Sequence, residues 1–153
     1  MIERAVTRDA TRGAIAGAVA ALAWAGAEPI SSRLLGIGSY SDVRLLGRMV
    51  VRKGAGWRLV GLGLHTLNGA IFGGVFAALG GRGWRHGLVA AEAESAALWP
   101  GMALMDLLHP DVRSGNWPRT VTSPRVFAHE TLMHGLFGTV LGALTERPAA
   151  PPE

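Results

Sequence analysis

Residues Trp57 to Leu79 read WRLVGLGLHTLNGAIFGGVFAAL. A helix needs about 20 residues to cross a hydrocarbon core about 30 Å thick, so this stretch reaches from one side of a bilayer to the other. Yet His65 and Asn68 sit in its middle. Outward from it lie three further apolar stretches, Thr11 to Glu28, Leu88 to Leu108 and Val126 to Leu144, the first and last reaching only with their flanks. Glu28, Glu92, Glu94, Asp106, His129, Glu130 and His134 fall within or at the ends of these. An ionised group at bilayer depth costs from about 3 to more than 10 kcal/mol, so such side chains must face one another or a wet cavity.

Composition agrees with this reading. Of 153 residues, 49% are apolar and 17% charged, where a soluble domain carries about 25% charged residues. The arginines gather between the stretches or at their ends, so the net charge of +4 suits anionic lipid headgroups better than nucleic acid. A single Tyr and the lack of any nucleic-acid-binding motif point the same way. With no Cys, disulfides, thiolate catalysis and Cys-ligated metal centres are excluded. The expectation is an all-α polytopic membrane protein: a four-transmembrane-helix bundle with one short interfacial amphipathic helix. Residues 1–147 form a single domain, and 148–153 a Pro-rich flexible tail.

Met1 to Arg12, the apolar run after it and the triplet Ala25, Gly26, Ala27 have the outline of a secretory signal. Glu3 and Asp9 among the leading arginines argue instead for a retained first helix. That helix is mostly Gly and Ala, so Gly13 and Gly17 allow close backbone approach, as do Gly61, Gly69, Gly73, Gly138 and Gly142 later. The remaining glycines lack the strand before and the Lys-Ser/Thr after that a phosphate loop requires.

Between the first two stretches, Ser41 caps a helix starting at Asp42. Arg44, Arg48 and Arg52 recur every fourth residue, which predicts a basic interfacial helix over Val43 to Lys53 touching lipid headgroups. The alternative is a helix packed on the end of the bundle. Helical spacing puts His65 and Asn68 on the glycine face of the second span, and Glu130 and His134 one turn apart on that of the fourth. Glu92 joins Ser95, Trp99 and Asp106 in a stripe, whereas Glu94 and His129 point elsewhere. The expected polar core is Glu28, His65, Asn68, Glu92, Glu130 and His134, with Glu28 reaching His65 or His134.

Three chemistries suit that core. Histidines and carboxylates on facing helices ligate metals, but Glu130-x-x-x-His134 departs from the Glu-x-x-His of di-iron bundles, and His129 to His134 misses the zinc-protease spacing by one residue. Buried Glu and His also relay protons. Otherwise they hydrogen-bond between helices and fix register, each bond worth under about 1 kcal/mol. No spacing supports a catalytic triad.

The run Trp24-Ala25-Gly26-Ala27-Glu28-Pro29, with the order of spans and the His- and Glu-bearing fourth span, resembles the YagU-like family of small bacterial inner-membrane proteins. The resemblance implies a multi-pass protein of the bacterial inner membrane without an established activity, discussed in connection with acid stress. The basic connector and the loop Gly115-Asn116-Trp117-Pro118 have no counterpart in it. Lys and Arg number nine in the first and third loops against six elsewhere, but the arginines just before the first span oppose that bias, so sidedness is open. The resulting reading is a non-enzymatic membrane protein whose Glu/His core handles protons or ions, with no cofactor expected. A metal-binding, redox-active bundle and an accessory subunit are the alternatives. Its partners are the bilayer, anionic headgroups and a second copy or partner subunit, not nucleic acid.

Overall fold

The computed structural model describes residues 2–146, and these are helical or in turns, with no strand among them. The helices are α1 (Ile2–Leu35), α2 (Asp42–Val50), α3 (Trp57–Ala78), α4 (Gly83–Leu98), α5 (Met102–Leu108), α6 (Pro110–Arg113) and α7 (Pro124–Thr145). A 3-10 turn, Trp99–Gly101, separates α4 from α5. The expected tail, 148–153, lies outside the described residues.

The first expected span is extended: α1 runs on through Pro29 to Leu35. It ends where Gly36 takes φ +63°, the left-handed closure of a helix, with Ile37 N donating to Ser32 O at 3.1 Å. The second coincides with α3. The third does not form one rod, which corrects the continuous span expected from Leu88 to Leu108. Pro100 lacks an N–H, and the chain leaves α4 through the 3-10 turn before resuming as α5. The fourth lies within α7, whose start is fixed by Pro124 in the first turn and by Ser123 Oγ accepting from Val126 N at 3.3 Å.

Two helical segments are long and apolar enough to cross a membrane, Val6–Leu35 and Trp57–Ala78. The 16 residues of α4 are too few, and the 22 of α7 carry too many polar groups. By length and composition alone, then, two crossings are supported where four were expected.

Helix packing is set by glycine. α1 packs on α3 and α7, α4 on α7, and α2 on α3, giving a row α3, α1, α7, α4. Gly13 faces Gly73 and Gly17 faces Gly69, so α1 and α3 run antiparallel; Gly87 of α4 faces Gly138 and Gly142 of α7 in the same manner. At each of these a Cβ would collide with the facing backbone. α2 repeats the device, with Gly47 against the Trp57 carbonyl and Gly61 against that of Val43. Without side chains between them, backbones approach closely enough for dispersion contacts to hold helices together.

These registers sort the helix ends into two groups. At one end, Ser31 of α1 meets His129 of α7, and α2, α5 and α6 gather over the bundle. At the other, Asp9 pairs with Arg82 at 3.3 Å and Gly83 lies beside Glu146. α4 and α7 therefore lie alongside α1 and α3 over the same depth. The outer faces are apolar: Ile15, Val19, Leu67, Ile71, Val75 and Leu132 are exposed, while Glu28, Ser95, His129 and Glu130 are buried. This inverts the distribution of a soluble domain.

Candidate functional site: a carboxyl and histidine chamber

The outer helices of the row, α3 and α4, have almost no mutual contact, and a cavity of about 150 Å³ fills the gap between them. α1 and α7 form its floor through Trp24, Glu130, His134 and Phe137, and α2 closes it with Asp42 and Leu45. α3 contributes His65, Asn68 and Phe72, and α4 contributes Glu94 and Ser95.

Beside the cavity three carboxyls converge. Glu130 Oε1 accepts the Tyr40 hydroxyl at 2.8 Å, and the Asp42 carboxyl lies within hydrogen-bonding reach of Glu130. Glu28 Oε1 accepts from Asp42 N at 2.6 Å and from Trp24 Nε1 at 3.0 Å. Among the described residues, no Lys or Arg pairs with any of the three; His134 Nδ1, 3.8 Å from Glu130 Oε2, is the nearest base. Burial, reinforced by Glu130 and Glu28 nearby, holds the Asp42 carboxyl well above the usual carboxylate range. Burial and the charge of Glu130 likewise raise the Tyr40 hydroxyl, so it stays a donor at neutral pH.

Of the expected polar core, Glu130, His65, His134 and Asn68 line the cavity, the last from an exposed position. Glu28 is buried but bonds to Trp24 and α2, instead of to the His65 or His134 expected. Glu92 stands apart, partly exposed beside Gly135 of α7, and Glu94 takes its place at the cavity. The reason is that Gly87, Ala91 and Ser95 form the buried face of α4, which turns Glu94 to one flank and Glu92 to the other. Asp106, in α5, instead ties down the loop before α7, accepting from Thr120 N at 2.7 Å and Val121 N at 3.2 Å.

Three participants were missed. By sequence Tyr40 has no assigned role and Asp42 only that of a first helical residue, and His129, assigned to another face, is fully buried with Nδ1 2.9 Å from Ser31 Oγ and its ring edge-on to Tyr40. That Tyr40 is the chain's only tyrosine, just before a capped helix, was the available signal.

The basic connector also turns inward. Ser41 caps α2 as expected, with Arg44 N donating to Ser41 Oγ at 3.1 Å, but the helix stops at Val50 and leaves Arg52 beyond it. Arg44 donates to both Asp111 oxygens, at 2.9 and 2.8 Å, and Arg48 lies 3.7 Å from the same carboxylate. Arg44 and Arg48, expected at lipid headgroups, are thus paired with Asp111 and half-buried; Arg52 alone of the three is exposed. His109 stacks on Trp117 at 4.5 Å beside this pair, completing a clamp over the chamber's end of the bundle.

No group of three His, Asp or Glu side chains among the described residues is arranged to hold a metal ion. Compared with known protein families, curated proteins and solved structures, the chain matches none. The YagU-like resemblance thus rests on Trp24 to Pro29 and the order of spans.

Proposed function

We propose that the chain is a four-span protein of the bacterial inner membrane that takes up protons, without enzymatic chemistry, into a chamber near one membrane face. The register of α4 and α7 supports four spans: they flank α1 and α3 end to end, so a bilayer crossed by the latter surrounds the former too. Their polar residues turn largely to the interior, which explains why hydropathy alone passes them over.

The observation that carries the proton reading is the convergence of Glu28, Asp42 and Glu130 on one another with no Lys or Arg among them. Carboxyls so placed do not all ionise together, and protons are the smallest charge that relieves them. Tyr40 extends the set by donating to the Glu130 carboxyl, while His134 Nδ1 bonds the Glu130 main-chain carbonyl at 2.9 Å and lies 3.8 Å from the carboxyl. Toward the other end, α1 from Gly13 to Ala23 carries no ionisable group, so the chamber is one-sided.

Infrared difference spectroscopy on the full chain in liposomes tests this. A carbonyl band from protonated carboxyl groups should persist at neutral pH, disappear in part in Glu130→Gln and shift in Tyr40→Phe. An acid pulse should give more rapid dye-reported uptake in the native chain than in Glu130→Gln. If no carboxyl is protonated at neutral pH, or if Glu130→Gln leaves band and uptake unchanged, the proposal fails. The metal-binding alternative is weakened by the ligand geometry above; elemental analysis finding a stoichiometric metal would restore it.

A further inference from the structure

The cavity has a chemistry beyond protons. We infer that it binds a small primary alkylammonium ion, of about five or six heavy atoms, with the ammonium between the carboxyls and His65 and the alkyl chain against the aromatic rings. The inference deepens the proton reading, which places this chamber inside the bundle.

Size comes first. About 150 Å³ is the volume of an engineered apolar cavity that admits benzene. Charge comes next: Asp42, Glu94 and Glu130 line the space and, among the described residues, no Lys or Arg does, so a cation that enters in exchange for a carboxyl proton is favoured over an anion. Trp24, Phe72 and Phe137 present rings to the same space, and cations and their methylenes settle on such faces. A bare metal ion is disfavoured, since no three His, Asp or Glu side chains are set to coordinate one among the described residues.

His65 decides between kinds of organic cation. It is 6% exposed, it lines the cavity, and its Nε2 is buried without a hydrogen-bond partner. The ring lies within hydrogen-bonding reach of the Ala21 carbonyl. In the tautomer that carries its proton on Nδ1, the neutral ring leaves Nε2 a bare acceptor. A buried acceptor left unsatisfied is unfavourable, and a ligand bearing N–H groups satisfies it. A quaternary ammonium has none. The ligand that meets acids, rings and bare nitrogen together is therefore a primary amine in its protonated form.

The test is calorimetric titration of n-butylammonium chloride, and separately of tetramethylammonium chloride, into the purified full chain in detergent at neutral pH. Saturable binding at one site per chain is expected for n-butylammonium, with tetramethylammonium weaker by about tenfold or more, the equivalent of one lost hydrogen bond to a charged donor. Glu130→Gln and His65→Phe should each weaken n-butylammonium by about tenfold, with thermal midpoints confirming folded protein. The two cations on the native chain decide the matter even if a variant does not fold. Absence of saturable heat, or equal binding of the two cations, overturns the inference, the latter meaning partition into the micelle. The infrared measurement without amine tests the proton reading separately: protonated carboxyls without amine binding leave that reading standing and remove this one. Amine binding without protonated carboxyls does the reverse.

Discussion

Asp111 shows how one residue of the single-turn helix α6 fixes the chamber's lid. Burial alone would raise its carboxyl, but hydrogen bonds from Arg44 and Asn116 and the charges of Arg44 and Arg48 outweigh that and hold it below the usual carboxylate range. A carboxyl depressed in the folded state contributes stability above its unfolded pKa, about 4, and loses it as pH falls through and below that value. The folded protein in detergent should accordingly lose thermal stability on acidification below about pH 4. Asp111→Asn should remove that dependence and lower stability by about 3 kcal/mol, because Arg44 and Arg48 are left without a counter-ion. Unfolding followed by circular dichroism at several pH values checks both outcomes. The sequence did not reveal this pair, because Arg44 and Asp111 are 67 positions apart and a fourfold arginine spacing reads equally as a lipid-facing stripe. By contrast the Ser41 cap was legible, being a local contact across three residues.

At the scale of elements, small residues carried the most readable information. Gly13, Gly17, Gly69, Gly73, Gly138 and Gly142, marked in the sequence as packing positions, all meet facing backbone. Gly47 and Gly87 do the same and were not marked, the first inside a helix read as basic and interfacial, the second before the start of the expected third span. Sequence spacing names a face but not its partner, which is why Glu92 was preferred to Glu94. Gly87→Ala puts the sign of the packing term to the test. Alanine favours an exposed helix by about 1 kcal/mol over glycine, yet here its methyl would collide with the Gly138 carbonyl, at a typical overpacking cost of about 1 to 3 kcal/mol. Gly87→Ala should therefore lower the thermal midpoint in detergent, whereas Gly63→Ala, at an exposed position of α3 with open space around it, should hold or raise it. Equal midpoints would mean that α4 and α7 are not held by this contact.

For the whole molecule, the question is whether α4 and α7 cross the membrane with α1 and α3. If only α1 and α3 cross, everything after α3 lies on one side, and the loop before α7 is separated by the bilayer from the connector between α1 and α3. The contacts oppose this: Arg44 and Ser39, in the connector, reach Asp111 and Trp117, in the segment before α7. Tyr40 packs on Trp117 with ring centroids 4.9 Å apart. Under the proposed four spans, α4 brings the chain back across and both segments stand at one membrane face, as these contacts need. The native chain has no Cys, so single substitutions report without background. Lys53→Cys in the connector and Arg119→Cys before α7 should react with a membrane-impermeant maleimide from the same side of intact or inverted vesicles. His86→Cys, exposed near the opposite end of the bundle, should react from the other. Arg119→Cys labelling together with His86→Cys and apart from Lys53→Cys would establish two crossings instead of four. The Arg44 to Asp111 clamp, and with it the enclosed chamber, could not then form within one chain.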